Sequence, residues 1–160
     1  MQPKHFPHLV AELESLRDQY ICATPRQRFG VALQRINDPP AIPNQLVTNV
    51  SAVEAFARSL VAHLESHTRE ELRSAHQRIK KREAHNLVAD YLKSKQLKPD
   101  EHFGEELWAG FRLAVGYRNL LVHECTYIAP SSYLPLVHCC REVFMALSKL
   151  SGTKSSRSAA

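Results

Sequence analysis

The chain has 160 residues, of which 44% are hydrophobic and 23% charged, with a net charge of +5. Those proportions exclude a disordered chain and a membrane-embedded one, and the length suits one ordinary domain with one core. Five glycines argue against a β-rich fold built on many tight turns.

The opening Met1-Gln2-Pro3-Lys4-His5-Phe6-Pro7-His8 lacks the apolar run of a secretory signal. No stretch approaches the ~18 uncharged apolar residues of a membrane span. A cytoplasmic protein with no membrane partner is expected. Cys22, Cys125, Cys139 and Cys140 have no framework spacing, so they read as thiols, Cys140 on an apolar face.

Apolar residues recur at three- and four-residue spacing almost throughout, the period of helices and not of strands. Phe6, Leu9, Val10, Leu13, Leu16, Tyr20 and Ile21 make a first stripe, and Phe29, Leu33 and Ile36 a short second one. Three prolines in 37–43 then form a linker. A third helix is predicted over 47–65, with Val50, Val53, Phe56, Ala57, Leu60, Val61 and Leu64 on one side. Thr68 and Glu71 have the spacing of a capping box, and a long basic helix is predicted from there to about Leu97.

That basic segment, 69–98, holds nine Lys or Arg against four acidic residues, an excess equal to the chain's whole net charge of +5. It is either a solvated helix surface or a polyanion-binding face, with Arg73, Arg78, Lys80, Lys81 and Arg82 as the nucleic-acid-binding candidates. Only Tyr91 is available there for base stacking. After Pro99-Asp100 a fifth helix is predicted over 103–124. The turn Ala129-Pro130-Ser131-Ser132 supplies an N-cap for a last helix, whose stripe is Tyr133, Leu136, Val137, Cys140, Val143, Phe144, Leu147 and Leu150. Residues 151–160 are a polar tail that buries nothing. The expectation is an all-α bundle of about five to six helices forming a single domain over 1–150.

On the fifth helix the stripe Leu107, Phe111, Ala114, Leu121, Val122 and Cys125 is interrupted by Arg118. A buried unpaired guanidinium costs several kcal/mol, so Arg118 must find a carboxylate, line a cleft or face a second subunit. Asn119 and His123 are four residues apart and share a helix face, whereas Arg118 lies about 140° around the helix from His123.

Arg118-Asn119-Leu120-Leu121-Val122-His123 resembles the R-N-x-x-x-H signature of the HEPN superfamily, small helical domains in which the motif precedes one last helix. The resemblance covers about 47–150 by order of helices and leaves 1–45 as an N-terminal helical extension. It implies a metal-independent endoribonuclease of toxin–antitoxin, defence or RNA-processing type, without cofactor, whose composite site forms across a homodimer. RNA is the implied partner, and an antitoxin or other partner protein a possible one. Similar members use an acidic residue on an earlier helix. Glu54 is that candidate here, unless Ser51 and Glu54 are simply a capping box. Cys125 stands where one subgroup has a tyrosine two residues after the histidine.

The chemistry such residues permit is attack by a ribose 2′-hydroxyl on the neighbouring phosphodiester. His123 can move the proton, while Arg118 can hold two phosphate oxygens and Asn119 orient either. The alternative is a non-catalytic HEPN-like module binding RNA, a nucleotide or a partner protein. His63 and His67 have the spacing of a metal pair but no third ligand of matching pattern, so no metal site is expected.

Overall fold

In the computed structural model, which describes residues 7–38, 42–125 and 130–153, every regular element is a helix. In chain order these are α1 (Pro7–Cys22), α2 (Pro25–Asn37), α3 (Ile42–Ala62), α4 (Arg69–Ile79), α5 (Ala84–Ser94), α6 (Pro99–Phe103), α7 (Glu105–His123) and α8 (Pro130–Ser151). None of them is long and apolar enough to cross a membrane.

The third stripe makes α3 the central element. Leu46, Val50, Val53, Phe56, Ala57 and Leu60 are all buried, and α3 packs against α2, α5, α7 and α8. Phe29, Phe56 and Phe144 join three of these helices in an aromatic cluster with ring centroids 5.0–5.5 Å apart. Each such ring contributes roughly 1.5–3 kcal/mol by leaving water. The stripe of α8 is buried from Leu136 to Leu147, with Cys140 inside it. Gly110 on α7 makes room for Cys139 of α8: a Cβ there would stand 2.5 Å from Cys139 Sγ.

Several boundaries differ from expectation, which is why eight helices replace five or six. The basic segment is two helices. Its apolar positions run Leu72, Ala75, Ile79 and then Ala84, Leu87, Val88. The five-residue step from Ile79 to Ala84 rotates the stripe by about 140°, so one continuous helix cannot keep both halves on the core. The chain turns at 80–83 and restarts with Glu83 as N-cap. α5 ends at Ser94, short of Leu97, because Gln96 takes φ +59° and Leu97 N–H closes back on Leu92 O at 2.9 Å. The fifth predicted helix is likewise cut at Gly104, whose φ of +87° suits glycine.

The first stripe does form a helix, but not a core. α1 buries no residue, and Leu9, Leu13, Leu16 and Tyr20 are all exposed. Asp18 pins it to α4 through Arg69 at 3.0 Å and Arg73 at 2.7 Å. α2, within the expected extension, instead shares the main core through Phe29, Ala32 and Ile36. Thr68 and Glu71 make the reciprocal capping box predicted for α4. Phe6 and most of the tail lie outside the described residues, as does Ala129; Ser131 and Ser132 fall inside α8 and not before it.

Candidate functional site

Ser51, Glu54 and Arg58 stand at spacings of three and four on one edge of α3, where α7 passes it. Ser51 and Glu54 lie mid-helix, so they are not a capping box. Arg118 donates to Glu54 Oε2 through Nη2 at 2.6 Å, to Ser51 Oγ through Nη1 at 3.3 Å, and to Asn119 Oδ1 through Nε at 2.9 Å. Arg58 Nη2 takes the other Glu54 oxygen at 2.8 Å. The Arg118 side chain is 14% exposed and that of Glu54 19%. Of the three fates open to Arg118, it has found a carboxylate.

Two guanidiniums therefore share one carboxylate, which leaves the cluster with a net positive charge. Burial alone would push the Glu54 carboxyl up, but the hydrogen bonds from Arg118 and Arg58 outweigh it and hold the group below its ordinary value. The cationic surroundings continue on the far side of Arg58. Burial, with Arg58, His63 and Arg28 nearby, pushes His76 down to about 4, so it is neutral at pH 7.

Asn119 links this cluster to a groove on the other side of α7. Its Oδ1 accepts from Arg118, while its Nδ2 lies 3.5 Å from Glu83 Oε1. The other Glu83 oxygen is 3.5 Å from His85 Nε2. The groove has a volume of about 630 Å³ and runs between the start of α5 and the outer face of α7, with Arg112, Gly116 and Asn119 along its length. His123 follows Asn119 by four residues and Gly116 by seven, so it continues the same helix face. It is exposed at the last position of α7 and makes no hydrogen bond to Arg118 among the described residues. Arg118 and His123 thus stand on different faces of α7, Asn119 next to the first in sequence and one turn before the second. Val122 and Cys125, expected in the stripe, are exposed there as well.

The basic residues are dispersed. Arg73 is paired with Asp18, and Arg82 with Asp90 at 2.8 Å. Arg78, Lys80 and Lys81 are exposed and have no ion pair among the described residues. They sit at the end of α4 and in the turn after it, so the cationic face is a corner and not a helix stripe. Tyr91 is 4% exposed, which removes it as a stacking platform. Sequence reasoning missed Arg58, Glu83 and His85, and weighed Ser51 only as a capping residue. Arg58 had a signal, its i,i+4 spacing from Glu54; Glu83 and His85 approach Asn119 only through the tertiary fold. Comparison of the chain with known protein-family models, curated proteins and solved structures gave no match.

Proposed function

We propose that the protein is a metal-independent endoribonuclease of HEPN type, with Arg118, Asn119 and His123 as its working residues and Glu54 as the anchor of Arg118. The carrying observation is the uneven charge of the cluster: Glu54 serves both Arg118 and Arg58, so an incoming phosphate supplies the missing negative charge. A guanidinium has five N–H donors, and Arg118 commits three of them to Glu54, Ser51 and Asn119. The two that remain suit a bidentate hold on phosphate oxygens, with the orientation set before the substrate arrives.

In this function a ribose 2′-oxygen attacks the adjacent phosphorus as its proton leaves to an imidazole. The P–O5′ bond breaks and the leaving oxygen is protonated. The products are a 2′,3′-cyclic phosphate and a 5′-hydroxyl. One histidine per chain serves both proton transfers poorly, and a homodimer that brings two copies of the motif together supplies the second. Exposed Arg78, Lys80 and Lys81 would add a salt-sensitive grip on the RNA backbone.

A second function, a non-catalytic module binding RNA, a nucleotide or a partner protein such as an antitoxin, is favoured by one observation. Glu54 satisfies Arg118 without any substrate, and His123 is not drawn toward it. The two are separated by measuring binding and cleavage of single-stranded RNA in EDTA with wild type, Arg118→Gln and His123→Ala. The enzyme predicts binding by wild type and His123→Ala but cleavage only by wild type. Binding with no cleavage by any of the three gives the module.

A further inference from the structure

Glu83 is the N-cap of α5, where an acidic side chain ordinarily turns back onto the free amides of its own helix, yet it makes no capping hydrogen bond. Its carboxylate turns into the α5–α7 groove instead. Both of its contacts there, to His85 Nε2 and Asn119 Nδ2, are 3.5 Å long, the outer limit of hydrogen bonding. The side chain is 52% exposed. Most of the four lone-pair sites of a carboxylate are therefore uncommitted.

The surroundings restrict what such an acceptor can take. Leu113, Val115, Gly116 and Leu120 line the groove with apolar surface, and Tyr117 adds a ring. The volume of about 630 Å³ lies inside the ~300–1,000 Å³ range of small-ligand sites. Burial, with Arg112 and Arg82 nearby, holds His85 below its ordinary value against the opposing pull of Glu83, and its Nδ1 is buried without a partner. A carboxylate beside an apolar slot selects a planar ligand that presents two parallel N–H donors. Among the RNA bases only guanine does so on its Watson–Crick edge, through N1–H and the exocyclic amine. Adenine and cytosine place an acceptor beside their amine, and uracil has one N–H between two acceptors.

We propose that this groove is a guanine-selective subsite, in which Glu83 reads the base of the nucleotide next to the phosphate held at Arg118, and Asn119 and His85 position the Glu83 carboxylate. The proposal rests on the RNA-directed function above, because it is Asn119, shared between the cluster and the groove, that joins base to phosphate. Glu83 is the specificity-determining residue, and because its side chain makes no capping hydrogen bond, its substitution leaves the fold intact.

The test is a calorimetric titration of the full chain and of Glu83→Gln with the 3′-monophosphates of guanosine, adenosine, cytidine and uridine. Guanosine 3′-monophosphate binds wild type more tightly than the others by about tenfold or more, the discrimination of one bidentate pair. In Glu83→Gln that preference disappears while the melting temperature is unchanged. Equal affinity for all four, no binding of any, or a preference that survives Glu83→Gln overturns the proposal. A parallel digest of RNA containing a single guanosine keeps the two functions apart. Cleavage without preference for the guanosine overturns the subsite and leaves the ribonuclease standing. Selective guanosine binding by a chain that cuts no RNA retains the subsite and removes the catalysis.

Discussion

Replacing Glu54 tests the architecture of the cluster more sharply than replacing Arg118. Glu54 accepts charge-assisted hydrogen bonds at 2.6 Å from Arg118 and 2.8 Å from Arg58, and its loss leaves two cations facing each other. Breaking a fully buried pair costs about 3–5 kcal/mol. Here the three side chains keep 14–24% of their exposure, and Glu54→Gln retains an acceptor, so about 2 kcal/mol is expected. For a domain of this size that lowers the melting temperature by about 4–8 °C. Arg118→Gln leaves Glu54 paired with Arg58 and should cost about 1 kcal/mol or less. Because the folded carboxyl sits below its ordinary value of 4.5, its contribution is present above that value and is lost as pH falls through the lower, folded one. Urea titrations of wild type and both variants at pH 7, repeated at acid pH, measure all of this. A penalty for Arg118→Gln as large as that for Glu54→Gln would refute the shared-carboxylate arrangement.

Other substitutions probe separate parts of the molecule. His76 stays neutral in the fold down to about 4 but takes a proton when unfolded below ~6.5. Wild-type stability should therefore fall by about 1–2 kcal/mol, after allowance for solvent screening, between pH 6.5 and 4; in His76→Gln this part of the slope should vanish in pH-dependent denaturation. Phe144→Ala removes a ring from the cluster with Phe29 and Phe56 and should cost about 3–5 kcal/mol in the same assay. Neutralising Arg78, Lys80 and Lys81 together should reduce the slope of log binding constant against log salt by about 2 on single-stranded RNA.

Much of the bundle was legible because helical periodicity encodes burial directly. The stripe of α8, and that of α3 as far as Val61, needed only spacing, although Leu64 lies beyond the end of α3 and is exposed; Thr68 with Glu71 announced the start of α4. Arg118 stood out for the same reason, as a cation in an apolar stripe, and its need for a carboxylate, a cleft or a second subunit followed from desolvation. What the periodicity did not reveal was which stripe finds a partner: α1 is amphipathic by pattern yet leaves Leu9 and Leu13 in solvent, because the core already closes on α2. The split of the basic segment was encoded in the five-residue step from Ile79 to Ala84, a phase slip hidden by the run of charges between them. The capping box of Thr24 and Gln27 was equally readable and was overlooked. Glu83 and Asn119 belong to a different category. They are 36 residues apart, and only the packing of α5 beside α7 brings them to one groove.

The most direct measurement is the chemistry of the ends left when labelled single-stranded RNA is incubated with wild type and with His123→Ala in EDTA. His123 is exposed at the end of α7, so the variant should fold as wild type does, within ~0.5 kcal/mol. Wild type is predicted to leave 2′,3′-cyclic phosphate and 5′-hydroxyl ends, and His123→Ala to leave the RNA whole. Intact RNA with both proteins, or identical cleavage by both, would contradict the assignment of Arg118 and His123 to catalysis.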